Sequence, residues 1–186
     1  ILFKKNFLYF NFITTIISSN WGYSMIIHTY KFQNKIETSI VKYLEKFYVA
    51  GITTRTNNKI ELDETTAQIP KLWQRYVDEN IESKTFNKSR NLAMYGVYNK
   101  YEKDVNSDYD YTIGVEVTKF KNAITIEKDR YLVFSKKGEF PKVVIETWHE
   151  VWNYFASQEC AYERIYNFDF EKYSKDDEVE IYISIK

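Results

Sequence analysis

The chain has 186 residues, of which 44% are hydrophobic and 18% aromatic, enough for the core of one domain without disulfide staples. Its 26 Lys and Arg balance its 26 Asp and Glu, so no net positive field draws it to nucleic acid or to anionic lipid. With Cys160 as the only cysteine and only two, widely separated histidines, an intrachain disulfide and a thiol-rich zinc site are excluded; we expect no metal, no cofactor and a cytoplasmic location.

The first 24 residues differ in composition from the rest. A lysine pair precedes an apolar run from residue 7 to residue 17, about half the length of a membrane-spanning helix. Three interpretations stay open: an extension outside the fold, upstream of a true start at Met25; a weak secretory signal; or an anchor. We favour the extension, so we expect residues 1–30 to lie outside one domain at 31–186 and the chain to have no membrane partner.

The pattern becomes regular after residue 30. The β-prone stretch Phe47–Ile52 predicts a strand. Apolar residues at helical spacing predict a helix that begins near Asp63, the expected N-cap, and runs to Val77. Two strands follow, Leu92–Tyr101 and Tyr109–Thr118, joined by turn-forming residues.

The same order of elements recurs in the second half. A strand at Arg130–Ser135 is followed by a helix that Pro141 opens, and then by strands at Glu163–Tyr173 and Val179–Ile185. Strand, helix, strand, strand, twice over, indicates an internal duplication. We therefore predict an α+β fold of duplicated β-α-β-β units with pseudo-twofold symmetry, in which antiparallel sheets carry helices on one side and a ligand cleft lies at the centre.

Alternation within the last two strands suggests a polar face. Glu180 and Tyr182 lie opposite the branched aliphatics of the final strand, and Glu171 lies opposite Phe168 and Phe170 in its partner. We interpret Glu171, Glu180 and Tyr182 as members of one face that lines a cleft. The alternative is that this face is simply open to water, as in many antiparallel sheets.

Aromatic rings and further carboxylates accompany these residues. Tyrosines crowd the first hairpin, and tryptophans recur on both predicted helices, where they are core residues first and pocket walls second. The candidate wall residues are Tyr95, Tyr111, Glu116, Trp73, Trp148 and Trp152. A carboxylate among rings in a partly closed cleft suits a delocalised organic cation, because each ring face adds roughly 0.5–2 kcal/mol. Burial would raise the pKa of that carboxylate when the site is empty.

Several short motifs resemble a known family by their order along the chain. They are Phe-Tyr-Val-Ala-Gly-Ile-Thr-Thr at 47–54, Leu-Trp-Gln-Arg-Tyr at 72–76, Tyr-Gly-Val-Tyr at 95–98, Tyr-Thr-Ile-Gly-Val-Glu-Val at 111–117, Phe-Glu-x-Tyr at 170–173 and Glu-Ile-Tyr-Ile at 180–183. Together they resemble the gyrase-inhibitor-like effector-binding domains. These are the ligand modules of AraC-type and multidrug-responsive bacterial transcription regulators, with stand-alone versions that include some on integron gene cassettes. The resemblance covers about residues 31–186.

The resemblance implies a duplicated fold with a central pocket in which Glu171 meets a cation and Glu180 and Tyr182 line the wall. The chain departs from the family at Ser184, where proline is usual. It also shows no helix-turn-helix segment ahead of the domain, so we expect no direct contact with nucleic acid.

We expect a stand-alone small-molecule-binding protein with a sensor or sequestering role, whose ligand is hydrophobic or cationic. Two alternatives stay open: a hydrolase in which Glu171 acts as general base and a tyrosine as acid, and a protein-interaction module of the gyrase-inhibitor kind. The sequence identifies no catalytic residue, and it leaves the ligand and the oligomeric state undetermined.

Overall fold

The computed structural model describes residues 39–119, 121–175 and 177–186. The predicted extension, residues 1–30, lies outside the described residues, and the domain boundary at residue 30 stays a prediction. The strands are β1 (Ile40–Leu44), β2 (Phe47–Thr56), β3 (Met94–Asn99), β4 (Tyr109–Val117), β5 (Ile124–Ile126), β6 (Asp129–Lys137), β7 (Phe168–Lys175) and β8 (Glu178–Ser184). The helices are α1 (Asn58–Glu61), α2 (Ile69–Asp78), α3 (Ile81–Lys84) and α4 (Lys142–Ala156).

The strands form one antiparallel sheet in the order β1-β6-β8-β7-β3-β4-β2-β5. The predicted succession of strand, helix, strand, strand occurs in both halves, as β2-α2-β3-β4 and β6-α4-β7-β8. The α+β class is therefore confirmed. The sheets of the two halves are joined into one, because β3 of one half pairs with β7 of the other from Met94–Tyr173 to Asn99–Phe168.

The two long helices pack on the same side of the sheet, which we call the helix face. They bury a continuous core against the strands, to which α2 and α4 contribute Leu72, Trp73, Tyr76, Val144, Trp148 and Val151, and the sheet contributes Ile113, Val115, Ile181 and Ile183. Helices on one side of the sheet were predicted, and this is what the structure has.

The opposite side of the sheet, which we call the concave face, buries a second core. The rings of Phe47 on β2 and Phe170 on β7 have centroids 5.6 Å apart, although three strand spacings would separate these strands by about 14 Å in a flat sheet. The sheet is therefore strongly curled. Gly51 and Gly114 face each other in register, and a Cβ on Gly51 would collide with the carbonyl oxygen of Ile113, so only glycine permits this bend.

Element boundaries differ from the prediction where capping was misassigned. Asp63 does not cap the long helix, which begins at Ile69 with Pro70 in its first turn. Instead, the Glu61 carboxylate accepts hydrogen bonds from the backbone N–H groups of Gln68 (3.0 Å) and Ile69 (3.1 Å). A side chain remote in sequence thus satisfies donors at the helix start, which a local motif search misses. None of the helices that the structure describes is long and apolar enough to cross a membrane.

Candidate functional site

Glu171 lies in the middle of β7, on the helix face. It stands in register with Gly96 of β3 on one side and Ile181 of β8 on the other. Only 3% of the residue is exposed. An ionisable carboxyl group thus occupies the apolar interface between sheet and helices, where burying a charge is costly unless it is compensated.

Four side-chain donors surround the Glu171 carboxylate. Oε1 accepts hydrogen bonds from the Tyr98 hydroxyl (2.9 Å) and the Trp148 indole N–H (2.7 Å). Oε2 accepts hydrogen bonds from the hydroxyls of Tyr111 (3.0 Å) and Tyr173 (2.8 Å). Among the residues that the structure describes, no lysine or arginine pairs with this group. Within the described part of the chain, neutral donors alone solvate the charge.

Burial raises the pKa of Glu171 above its usual value, because desolvation disfavours the charged form; the hydrogen bonds from Trp148 and the tyrosines oppose that rise. Burial and the neighbouring carboxylate also hold the pKa of Tyr98, Tyr111 and Tyr173 well above the ordinary phenol value. The phenols therefore stay protonated and keep donating at neutral pH.

Gly96 makes room for the carboxylate. A Cβ at this position would lie 2.5 Å from Oε2 of Glu171 and closer still to the hydroxyl of Tyr111. Any other residue here would occupy the space that the carboxylate and its phenol partner share.

Aromatic rings enclose the site on several sides. The Tyr98 ring packs edge-on against Tyr111 and Trp148, with centroids 4.7 and 5.2 Å apart, and the Trp73 indole donates to the Tyr111 hydroxyl (3.2 Å). Trp148 stacks on Trp152 one helical turn later, with ring centroids 6.1 Å apart, and Trp152 is 40% exposed. The rings thus extend from the buried carboxylate to the surface of α4.

A second carboxylate on the same strand face already holds a cation. Asp169 accepts hydrogen bonds from the Arg164 guanidinium at 2.7 and 3.2 Å and from the Tyr101 hydroxyl at 3.0 Å. The guanidinium lies over the rings of Tyr166 (4.7 Å) and Tyr101 (5.8 Å). The side chains of Arg164 and Asp169 are only 6% and 0% exposed. Two residues from Glu171, the fold thus contains a filled cage of a carboxylate, aromatic rings and a cation.

The structure separates the three residues that the sequence placed on one face. Glu171 stands in register with Ile181, whereas Tyr182 stands in register with Phe170, so Glu180 and Tyr182 point to the concave face. The Tyr182 ring stacks on Phe170 at 4.5 Å. The common face predicted for Glu171, Glu180 and Tyr182 is therefore wrong. The alternation was misleading because both faces of β7 are buried and Phe170 belongs to the second core.

Glu180 and Tyr182 have a cationic neighbour of their own. The Lys42 ammonium contacts Glu180 Oε1 (2.8 Å) and the Tyr182 hydroxyl (3.3 Å), and Lys172 approaches Glu180 at 3.5 Å. Partial burial acts to raise the pKa of Glu180, but Lys42 and Lys172 outweigh it and hold that pKa below its usual value. Glu180 is thus a paired carboxylate, unlike Glu171.

The remaining predicted wall residues divide between the two faces. Tyr111, Trp73 and Trp148 lie with Glu171 on the helix face. Trp152 lies at the surface of α4, stacked on Trp148. Tyr95 and Glu116 lie on the concave face.

Tyr95 and Glu116 are joined there by Asn91, whose side-chain amide donates to the Tyr95 hydroxyl and to Glu116 at 2.7 Å each. They therefore form a third polar group, separate from Glu171.

Sequence reasoning missed two direct partners of Glu171 and the glycine beside it. Tyr98 and Tyr173 were visible in the motifs Tyr-Gly-Val-Tyr and Phe-Glu-x-Tyr but were not chosen. The signal was period-two spacing, which puts Tyr98 on the face of Gly96 and Tyr173 on the face of Glu171. In the described ranges, no group of three His, Cys, Asp or Glu side chains is arranged to hold a metal ion.

Comparison with protein-family models matches residues 40–185 to the Cass2 family, described as integron-associated effector binding protein. A curated relative is YobU of Bacillus subtilis (strain 168), whose name describes it as a candidate transcriptional regulator. It is 25% identical over 162 residues, which cover 80% of this chain and 98% of the relative.

Solved structures show the same fold. An integron cassette protein from the mobile metagenome of Vibrio cholerae, VCH_CASS2, superposes with a TM-score of 0.71 at 33% identity, covering 81% of this chain and 97% of that one. SAV2435 bound to tetraphenylphosphonium superposes with a TM-score of 0.65 at 21% identity, covering 80% and 94%. A Staphylococcus aureus MU50 protein described as a candidate transcription regulator reaches 0.63 at 21% identity, covering 80% and 98%.

Proposed function

The chain belongs to the integron-associated effector-binding protein family, and we propose that it binds a small hydrophobic organic cation beside Glu171, in a sensor or sequestering role. The family match confirms the effector-binding resemblance that the sequence motifs indicated. That SAV2435 was solved with tetraphenylphosphonium makes this lipophilic cation a suitable first ligand to test.

The observation that carries this proposal is a buried carboxylate among aromatic rings with no cationic side chain paired to it in the described part of the chain. Neutral donors offset part of the desolvation cost of Glu171, but the negative charge itself stays uncompensated. A cation about 5 Å away would gain about 3 kcal/mol at an effective dielectric constant of 20. The rings of Tyr98 and Trp148 add cation–π attraction.

The Arg164–Asp169 pair supports this interpretation from within the molecule. There, a buried carboxylate and two aromatic rings enclose a guanidinium. Glu171 has the same components on the same face of the same strand, and the described residues place no internal cation beside it. A ligand from solution would supply the missing component.

Access to Glu171 requires side-chain movement. Trp148, Tyr111 and Tyr173 are buried, and Tyr98 is the one hydrogen-bond partner of the carboxylate that is partly exposed. We propose that the ligand enters where Tyr98 and Trp148 meet, after contact with the exposed face of Trp152.

We also propose that the two β-α-β-β halves are related by an approximate twofold axis between β3 and β7. Outward from this central pair, the sheet reads β3-β4-β2 on one side and β7-β8-β6 on the other, so corresponding strands take corresponding places. Trp73 from α2 and Trp148 from α4 then reach the central carboxylate cluster from opposite halves, as a central cleft requires. Ligand contacts by Glu180, Tyr182, Tyr95 and Glu116, on the concave face, stay a prediction from the sequence.

Fluorescence titration tests the proposal, because two tryptophans contact the site. Tetraphenylphosphonium is expected to quench tryptophan emission, and Glu171→Gln is expected to weaken binding at least about tenfold, after desolvation has offset part of the Coulomb term. Glu150→Gln, an exposed change on the same helix as Trp148, is the matched control. Neutral triphenylphosphine oxide should be insensitive to Glu171→Gln. Equal affinity of the cation for the wild-type protein and Glu171→Gln would refute the proposed site.

A further inference from the structure

The hydrogen bonds of Glu171 bear on which cations the site can take. A carboxylate offers about four lone-pair positions to donors. Protein groups already occupy two at Oε1 and two at Oε2, at 2.7 to 3.0 Å. An incoming N–H donor would therefore have to share a carboxylate oxygen that already accepts two neutral donors.

Other acceptors beside the carboxylate are few. The Tyr111 oxygen already accepts the Trp73 indole N–H at 3.2 Å. The phenol oxygens of Tyr98 and Tyr173 remain, and a neutral phenol oxygen is a weaker acceptor than an ionised carboxylate. Ring faces, by contrast, attract positive charge without needing a donor hydrogen.

The Asp169 cage shows the opposite arrangement on the same strand. Its Oδ2 accepts only one neutral donor, the Tyr101 hydroxyl, together with two N–H groups of Arg164, while its Oδ1 accepts the backbone N–H and the hydroxyl of Ser184. A cation that carries N–H donors is thus held by direct hydrogen bonds. At Glu171, phenols and an indole take the places that such N–H groups would need.

We infer that the Glu171 site selects cations without N–H donors, such as quaternary ammonium and phosphonium ions, over protonated amines of similar shape. This inference rests on the proposed function. The quaternary ion is attracted by the field of the carboxylate and by the ring faces, and it loses no hydrogen bonds to water when it is buried. A primary ammonium ion loses its bonds to water and regains few of them, since buried donors without partners are costly.

A matched ligand pair tests this selectivity. Isothermal titration calorimetry would compare (4-phenylbenzyl)trimethylammonium with (4-phenylbenzyl)ammonium at pH 7, with tetraphenylphosphonium as reference. We expect the quaternary ion to bind about tenfold or more tightly than the primary ion, the ratio that one unsatisfied buried donor produces.

Variants separate hydrogen bonding from the extra methyl groups. Tyr98→Phe frees one position on Oε1, and Tyr173→Phe frees one on Oε2, so each should lower the quaternary-to-primary affinity ratio by about threefold or more. Tyr131→Phe is the matched control, because the Tyr131 hydroxyl lies buried on the concave face and makes no hydrogen bond to any residue that the structure describes. It should leave the ratio unchanged.

The outcomes are distinct. Equal affinity of the wild-type protein for both ions, or an unchanged ratio in both Tyr98→Phe and Tyr173→Phe, would overturn the inference while leaving cation binding intact. Failure of all three cations to bind would refute the proposed function and the inference with it.

Discussion

Gly96→Ala tests whether the Glu171 carboxylate lies directly over the backbone of β3. The added Cβ would lie 2.5 Å from Oε2, whereas ordinary contacts begin at 3.4 Å, so the carboxylate must retreat by about 1 Å. That retreat breaks or lengthens the 2.8 and 3.0 Å hydrogen bonds from Tyr173 and Tyr111. Two buried hydrogen bonds at about 1 kcal/mol each, with about 1–3 kcal/mol for overpacking, suggest a loss of about 3–5 kcal/mol.

Urea unfolding followed by tryptophan fluorescence and circular dichroism measures this loss. Gly138→Ala is the matched control, because its Cβ would lie 3.2 Å from Val143 Cβ and should cost less than about 1 kcal/mol. Tyr111→Phe removes one of the colliding atoms, so the Gly96→Ala penalty should be about 1 kcal/mol smaller in that background. If Gly96→Ala proves as stable as Gly138→Ala and binds the cation equally well, the carboxylate does not occupy the position described.

Three further predictions concern ionisable groups. Because the folded-state pKa of Glu171 is raised, its carboxyl group contributes stability below about pH 4 that is lost as the pH rises through the raised value. Between pH 4 and pH 8, the urea midpoint should therefore fall less in Glu171→Gln than in the wild-type protein. An identical dependence of the midpoint on pH in the two proteins would contradict this prediction. Arg164→Met leaves Asp169 buried without its cation and should lower the free energy of unfolding by about 3–5 kcal/mol. Arg75→Ala, which breaks an exposed pair with Glu79, is the control and should leave the urea midpoint nearly unchanged. Similar midpoints for the two variants would refute the buried pair. Lys42→Met should raise the pKa of Glu180, followed by carbon NMR titration, and cost less than about 1 kcal/mol because the pair is partly exposed; an unchanged pKa would show that Lys42 does not set it.

Much of the fold was predictable because local patterns and tertiary packing agree in it. Period-two runs identified the main strands, and apolar spacing identified α2 and α4. The start of α2 was misplaced because Glu61, not the local candidate Asp63, accepts its first N–H groups. The three-residue strand β5 has too short a pattern to stand out, and its partner β2 determines it.

The site was harder to predict because alternation orders residues within a strand and says nothing about its neighbour. Glu171 and Tyr182 share a face only if the register is shifted by one residue. Alternation predicts that Phe168 and Phe170 lie on the core side of β7. They do pack in a core, but it is the second core, on the concave face of the curled sheet. Where both faces are buried, hydrophobicity no longer distinguishes them.

Strand β7 is hydrogen-bonded along both edges, to β3 and to β8, and covered on both faces. We expect amide hydrogens in such a strand to exchange mainly through global opening of the domain, so the backbone beneath Glu171 should be a rigid platform. The α4 side of the site, in contrast, is held by side chains, with Trp152 at its outer end. Under the proposed function, a carboxylate fixed on this strand beneath the side chains of α4 would let one anchor serve cations of different outline.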